Sequence, residues 1–479
     1  MARSQPIATL ALLALVLLVT SVLPSRAYAQ AEGSDLAPTE EDAPSAALAP
    51  IPPAPDEDVT EQRDPALDEQ VPAAPASAEE VAVASTEAPA SALPAELAWL
   101  AEALRYVRPT LLAELDYRVH AREVEGIDGF GLGRLRTGLV FDPAPWMSTV
   151  ATIEWAGEHP MVLDVFATLR AAEWLDVNVG WSKTPLFASF RYEPVAAMPF
   201  SSRSPVVNAF RVRRDVGVEA HLAPREVPIE AVVRVGNGSG SVLGNDTPLP
   251  AGYALVDLVL GRPWRGAAAS ERELGLRIGA AALVESVRDR DGIVGTTPLG
   301  FIYRRPIIVE GLRVVGEAHV IGYAGPLRLT IEGALAEEGR SRDDDGNPST
   351  PRQPLPSLRS SGLTAELAWV LLGEPRRVGV APAVPSPWAG GALEVAARFD
   401  ALWLGWGAGD VTPGGSTGGA LAVKWWPVDF LAATLEGYVT RYDVPPVELP
   451  GEHWSWGGIL RLSLFTTPPA RAPAIAAAD

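Results

Sequence analysis

The chain has 479 residues, with 39 Lys and Arg against 59 Asp and Glu, a formal net charge of −20 and no cysteine. The missing thiol excludes a disulfide framework, thiolate metal sites and a cysteine nucleophile. So acidic a chain is not expected to bind nucleic acid.

Residues 1–29 begin with Arg3, continue through an apolar run from Ile7 to Leu23 and end on Ala27-Tyr28-Ala29. That is the pattern of a secretory signal peptide cut before Gln30. The run is shorter than the roughly 20 residues of a spanning helix. Residues 30–95 are Ala, Pro and acid, with one cation, Arg63. They bury too little apolar surface to offset their ordering entropy, and a disordered periplasmic segment is expected. With that segment and the signal set aside, residues 96–479 carry −8. Residues 96–109 read as a short helix or linker, within PAELAWLAEALRYVR.

From 110 to 465 the period is two. GRLRTGLVFD sets Leu135, Thr137, Leu139 and Phe141 against Arg134, Arg136, Gly138 and Val140, and WLDVNVGWSK and GGALEVAARFDALWL alternate in the same way. An apolar face opposite a charged one is a half-buried strand. A soluble sandwich would turn the apolar face inward; a transmembrane barrel turns it to lipid and the charges to the lumen. Export, segments of about 10 residues, tryptophans near the strand ends and alternating short and long connections favour the barrel. The predicted fold is all-β, a transmembrane antiparallel β-barrel of about 16 strands. The strands are read at 110–120, 131–142, 146–157, 160–170, 174–182, 213–223, 227–236, 252–262, 271–284, 306–320, 326–337, 361–373, 390–404, 417–427, 430–442 and 454–465. Residues 466–479 form a C-terminal tail.

Counted from the periplasm, 183–212 is the third outer loop. Lys183, Arg191, Arg203, Arg211, Arg213 and Arg214 face one acid, Glu193, a formal +5 in a strongly negative chain. Phe187, Phe190, Tyr192, Phe200 and Phe210 make the loop too apolar for a free surface segment. It is expected to fold into the barrel, where its six cations line a constriction and an anion path. The alternative is that the arginines pair with acids of the inner wall and pin the loop. Arg134, Arg136, Arg234 and Arg398 are expected on the lumen wall, among Asp176, Glu230, Glu366 and Glu394.

WSKTPLFASF, SRSPVVNAF and RRDVGVEAHL, followed in order by YAGPLRLTIEGAL, GLTAELAWVLLGE, GALEVAARFDALWL and ALAVKWWPVDFLAATLEGYV, resemble the phosphate-selective porin O/P family over residues 108–465. The resemblance implies a sixteen-stranded outer-membrane barrel, usually a homotrimer, passing small anions such as phosphate or polyphosphate. Carried over by position, Lys183 is the family lysine at the end of the fifth strand, and Arg203 and Arg214 match basic loop positions. The chain departs from the family in having two lysines against 37 arginines, and in continuing past Phe465, where such barrels end on an aromatic.

No enzyme is expected. The five histidines, His120, His159, His221, His319 and His453, fall in no metal-ligand spacing. GGSTG at 414–418 leads into a strand and lacks the helix of a nucleophile elbow. GNGSGS reads as a turn, and DDDGN as a solvated acidic turn. No cofactor or metal is expected. The expected function is passive diffusion of small solutes with anion preference across a bacterial outer membrane, with the acidic segment in the periplasm. A general porin and a plugged structural or adhesive barrel remain as alternatives.

Overall fold

A computed structural model describes residues 106–466 apart from 122–127, 213, 239, 241–246, 248, 262–273, 343–351, 377–380, 383 and 385–389. The expected signal peptide, the acidic segment and all but the first residue of the tail lie outside these residues.

Eighteen strands are described: β1 Val107–His120, β2 Gly129–Ala144, β3 Met147–Glu154, β4 Met161–Ala172, β5 Leu175–Lys183, β6 Arg214–Leu222, β7 Ile229–Gly236, β8 Ala251–Leu260, β9 Leu274–Asp291, β10 Gly295–Thr296, β11 Ile302–Arg304, β12 Ile308–Ala324, β13 Leu327–Arg342, β14 Gln353–Leu372, β15 Ala392–Trp406, β16 Gly414–Val428, β17 Leu431–Tyr442 and β18 Trp454–Phe465. Sixteen form a closed antiparallel barrel; β10 and β11 form a separate two-stranded ribbon. Closure is made by β1 on β18, from Leu112 opposite Phe465 to His120 opposite Gly457. All sixteen segments predicted from the period-two pattern are wall strands. Several boundaries are corrected. β9 runs on to Asp291 and β13 to Arg342, while β14 begins at Gln353 and β16 at Gly414, so that GGSTG lies within a strand. β1 starts at Val107, so residues 107–109 are strand and not helix or linker. Val107 to Pro109 pair with Phe141 to Leu139 of β2, and that ladder overrides local helix propensity.

The side chains sort as the alternation dictates. In β16, Leu421, Val423 and Trp425 are exposed on the outer surface, whereas Ala420, Ala422, Lys424 and Trp426 are buried inside. The same outward row of large apolar side chains continues through Leu435 and Val439 of β17 and Leu460 and Leu462 of β18. Two aromatic belts bound it. Trp146, Trp174, Trp369, Trp425 and Phe430 are exposed near the short turns; Trp155, Trp403, Trp406, Trp454 and Trp456 are exposed at the opposite end. An apolar band between aromatic girdles, around a charged interior, is the surface of a barrel solvated by lipid. Connections are short at one end, as at 145–146, 173–174, 325–326 and 429–430, and long at the other, as at 184–213, 237–250, 292–307 and 443–453.

The lipid-facing assignment is testable at Leu421, the most exposed residue of the row. Leu421→Arg is expected to destabilise the lipid-refolded protein by about 2–4 kcal/mol, whereas a water-facing site would change by about ±0.5 kcal/mol or less. Urea unfolding in lipid vesicles measures the difference.

Candidate functional site

The connection from β5 to β6 does not leave the barrel. Thr184 Oγ1 donates to Val212 O across its base. Between these residues lie helix α1 (Ala188–Tyr192), a 3-10 turn (Val195–Ala197) and helix α2 (Pro205–Phe210). Ser204 caps α2, its Oγ accepting from Val207 N at 3.0 Å, and Pro205 supplies the pre-set φ of the first turn. Phe187 enters α1 at φ 70°, a left-handed conformation costly for a bulky side chain. Full burial of Phe187 holds it there.

One side of the loop is apolar. Leu186, Phe187, Phe190, Val206, Val207 and Phe210 pack on Val232 of β7, Tyr253 and Leu255 of β8, Leu283 of β9, Val315 of β12 and Leu402 and Leu404 of β15. Those wall residues face the lumen, where only a packed segment gives them a reason to be apolar.

The other side docks through polar contacts. Arg191 forks onto Glu219 of β6 at 2.7 and 3.1 Å. Tyr192 Oη donates to Asp257 of β8 at 2.8 Å, and Ser189 N and Oγ donate to Glu332 of β13 at 2.8 and 2.6 Å. Ser201 N donates to Glu436 of β17 at 2.7 Å. In the reverse direction Lys424 of β16 donates to Ala196 O and Met198 O at 2.9 and 2.8 Å, and Arg398 of β15 to Ser202 O at 2.9 Å. Glu193 receives Arg328 of β13 and, at 3.3 Å, Arg376 from the connection 373–391 at the opposite mouth. Burial raises the Glu193 carboxyl, but Arg328, Arg376 and Arg203 together outweigh it and hold it below the usual carboxylate range.

The packing is one-sided. Inward residues on β8, β9 and β12–β18 are mostly buried, whereas those of β2–β5, among them Thr152, Asp164, Phe166, Thr168 and Asn178, keep partial exposure. At the loop end of this strip three ion pairs still meet solvent: Arg134 with Glu114 at 2.5 Å, Arg136 with Glu154 at 2.6 Å and Arg214 with Asp164 at 2.9 Å. Lys183 lies beside them. Its Nζ donates to Phe190 O at 3.0 Å, and its electrostatic neighbours are Arg203, Arg214 and Arg136 against one carboxylate, Asp164.

Of the residues read from the sequence, Arg134, Arg136, Lys183 and Arg214 lie together on this strip. Arg203 is buried behind them, donating to Ser189 O and Glu193 O, both at 2.6 Å. Burial, and Arg134 and Arg214 nearby, pull its guanidinium down to about 10 against the pull of Glu193 and Glu332. Arg211 stacks on Phe190 with its guanidinium 4.9 Å from the ring centre; Lys183 and Arg203 approach the same ring at 5.3 and 5.1 Å. Arg213 lies outside the described residues. Arg234 and Arg398 face inward as expected but sit beneath the loop, each about 1% exposed in its side chain.

Sequence reasoning missed three contributors. Lys424 was visible on the polar face of ALAVKWW. Arg376 gave no signal, since only the closed barrel brings it to Glu394, at 2.5 Å, and to Glu193. The segment 292–307 also turns inward, with Phe301 and Tyr303 packed on Tyr442 and the Tyr303 hydroxyl 2.8 Å from Ser416 Oγ.

No protein-family model matches the chain, and no curated protein matches it. Solved structures do. A loop-deletion mutant of OmpT, an outer membrane protein of Vibrio cholerae, aligns at a TM-score of 0.48 and 10% identity over 75% of this chain and 98% of that one. The anion-selective porin of Comamonas acidovorans aligns at 0.46 and 10% over 75% and 99%, and OprB of Pseudomonas putida at 0.47 and 8% over 77% and 96%. Likeness at this level carries no argument about what this chain passes.

Arg191 and Glu219 form an enclosed pair between loop and wall, with side chains 14% and 1% exposed. Glu219→Gln leaves Arg191 without its counter-charge and is expected to cost about 3–5 kcal/mol in the unfolding free energy of the lipid-refolded barrel. Replacement of a solvated surface pair would cost about 1 kcal/mol or less.

Proposed function

We propose that this chain is an outer-membrane channel for passive diffusion of small solutes. Its water path runs between loop 184–213 and the β2–β5 wall, and it prefers small anions of the phosphate type. The observation that supports this reading is the partly exposed strip, whose loop end gathers Lys183, Arg134, Arg136 and Arg214 around Glu114, Glu154 and Asp164. Low-dielectric walls concentrate the field of such a cluster on whatever passes. Arginine forks suit phosphate oxygens, and the neighbouring carboxylates favour release, which conduction needs as much as capture. The resemblance to the phosphate-selective porins points the same way, and with it a homotrimer, long connections on the outer side and the acidic segment in the periplasm.

A second reading is favoured by a different observation. The inward faces of β8, β9 and β12–β18 are packed, so closure of the remaining strip would leave a plugged structural barrel.

A reversal potential across a planar bilayer under a KCl gradient separates the readings. At about 0.1 M salt the Debye length is about 10 Å and lumen charges are felt. Anion selectivity is expected, with current reduced by added phosphate, and Arg136→Gln with Lys183→Gln is expected to move the potential toward zero. Cation selectivity would overturn the anion assignment, and absence of conductance would leave the plugged barrel.

A further inference from the structure

Loop 184–213 enters from one mouth of the barrel and the connection 373–391 from the other, and they meet at one carboxyl group. Glu193 is the only acid of the loop. Its carboxylate takes Arg328 and Arg376, and its carbonyl takes Arg203. Arg376 is clamped by Glu394 through two contacts of 2.5 Å, and Arg328 also holds Glu366. Beside this junction Ala196 of the loop shares an apolar cluster with Ala381, Val384 and Trp426. We propose that Glu193 is an acid-released latch that ties the loop to Arg376 at the opposite mouth, so that protonation of Glu193 or displacement of Arg376 frees the loop and widens the passage.

Two features make the latch operable. A cavity of about 20 Å³ lies against it, lined by Glu193, Arg203, Arg328 and Glu332 together with the apolar Met198 and Phe200. It has room for about one water beside the Glu193 carboxyl. The charged groups around the carboxyl are matched in number: Arg203 on the loop, Arg328 on β13 and Arg376 face it, with Tyr323 of β12 nearby and Lys424 of β16 held by Ala196 O and Met198 O of the loop. Glu332, Glu366 and Glu394 are the other acids: Glu332 accepts from Ser189, whereas Glu366 and Glu394 share Arg328 and Arg376 with Glu193. Since these cations hold the Glu193 carboxyl below its ordinary range, its contribution is complete above the unfolded carboxylate value. It is lost as pH falls through the lowered one. The loop is therefore latched at neutral pH and released in acid.

The inference rests on the channel reading for its conductance arm only. The chain has no cysteine, so Ala209→Cys in the half-buried part of α2 is a unique reporter of loop release. Full-length protein in lipid vesicles would carry this reporter alone, with Glu193→Gln, or with Arg376→Gln. Heat-modifiable gel mobility shows that each variant has folded. At pH 7.5 either latch substitution is expected to raise the rate of maleimide labelling about tenfold, because an uncompensated buried pair loses more than that factor in opening equilibrium. In bilayers the wild type is expected to gain conductance as pH falls toward 3, and Glu193→Gln to show the raised conductance already at pH 7.5. Labelling unchanged in both variants would overturn the latch, as would a pH response that survives Glu193→Gln. A protein silent in bilayers but labelled faster in the variants would retain the latch and retire the channel.

Discussion

Ionised side chains removed from water must find opposite charges or hydrogen bonds, because each uncompensated one costs several kcal/mol. This constraint organises the interior of the barrel. Glu219, Asp257, Glu332 and Glu436 face inward with 2% exposure or less. Without loop 184–213 they would lose Arg191, Tyr192, Ser189 and Ser201 as donors. The loop in turn carries more positive charge than it can neutralise itself. A cationic segment in an acidic chain is thus the electrostatic complement of the wall it folds against, and loop and wall form one cooperative unit.

The asymmetry of the lumen follows from where complement and apolar contact coincide. Inward leucines and valines on β7, β9, β12 and β15 draw α1 and α2 to that side, and the carboxylates of β8, β13 and β17 fix their register. The ribbon of β10 and β11 fills space near the loop end, where His120 meets Phe301 at 5.7 Å between ring centres. Among the described residues nothing comparable covers the inward faces of β2–β5, which keep partial exposure. Lys183, Arg136 and Arg214 converge at the loop end of that strip. Lipid on the outside and a packed loop on the inside give the wall two dissimilar solvents, which is why its strands alternate so regularly.

Much of this was legible in the sequence, for identifiable reasons. Strand count and position were readable because alternation is a local property, as in Leu421, Lys424 and Trp425, and because a strand one residue out of register would place charges in lipid. Inward folding of the third outer loop was readable from its phenylalanines. The destination of each arginine was not. Arg191 meets Glu219 and Arg214 meets Asp164 across 28 and 50 residues of sequence, and no local pattern encodes such a choice. In the structure Arg191 pins the loop to the wall, Arg203 braces the loop against itself, and Lys183 lies on the strip. The inward turn of 292–307 and the reach of Arg376 were invisible because they depend on barrel closure. Leu402 and Leu404 continue the face of Glu394, Arg398 and Asp400 as apolar residues, and they lie under the loop with Val232, Leu255 and Leu283.

Accessibility of inward positions tests the one-sided packing most directly. Single cysteines at Thr152, Thr168 and Asn178 on the strip, and at Ala281, Ala336 and Thr434 beneath the loop and the opposite wall, would each be the only thiol in the chain. With folded protein in vesicles, a small charged thiol reagent is expected to modify the first three quickly and the last three only on unfolding. Equal reactivity of both sets would mean that the loop does not fill the barrel, and the electrostatic complement described above would not hold.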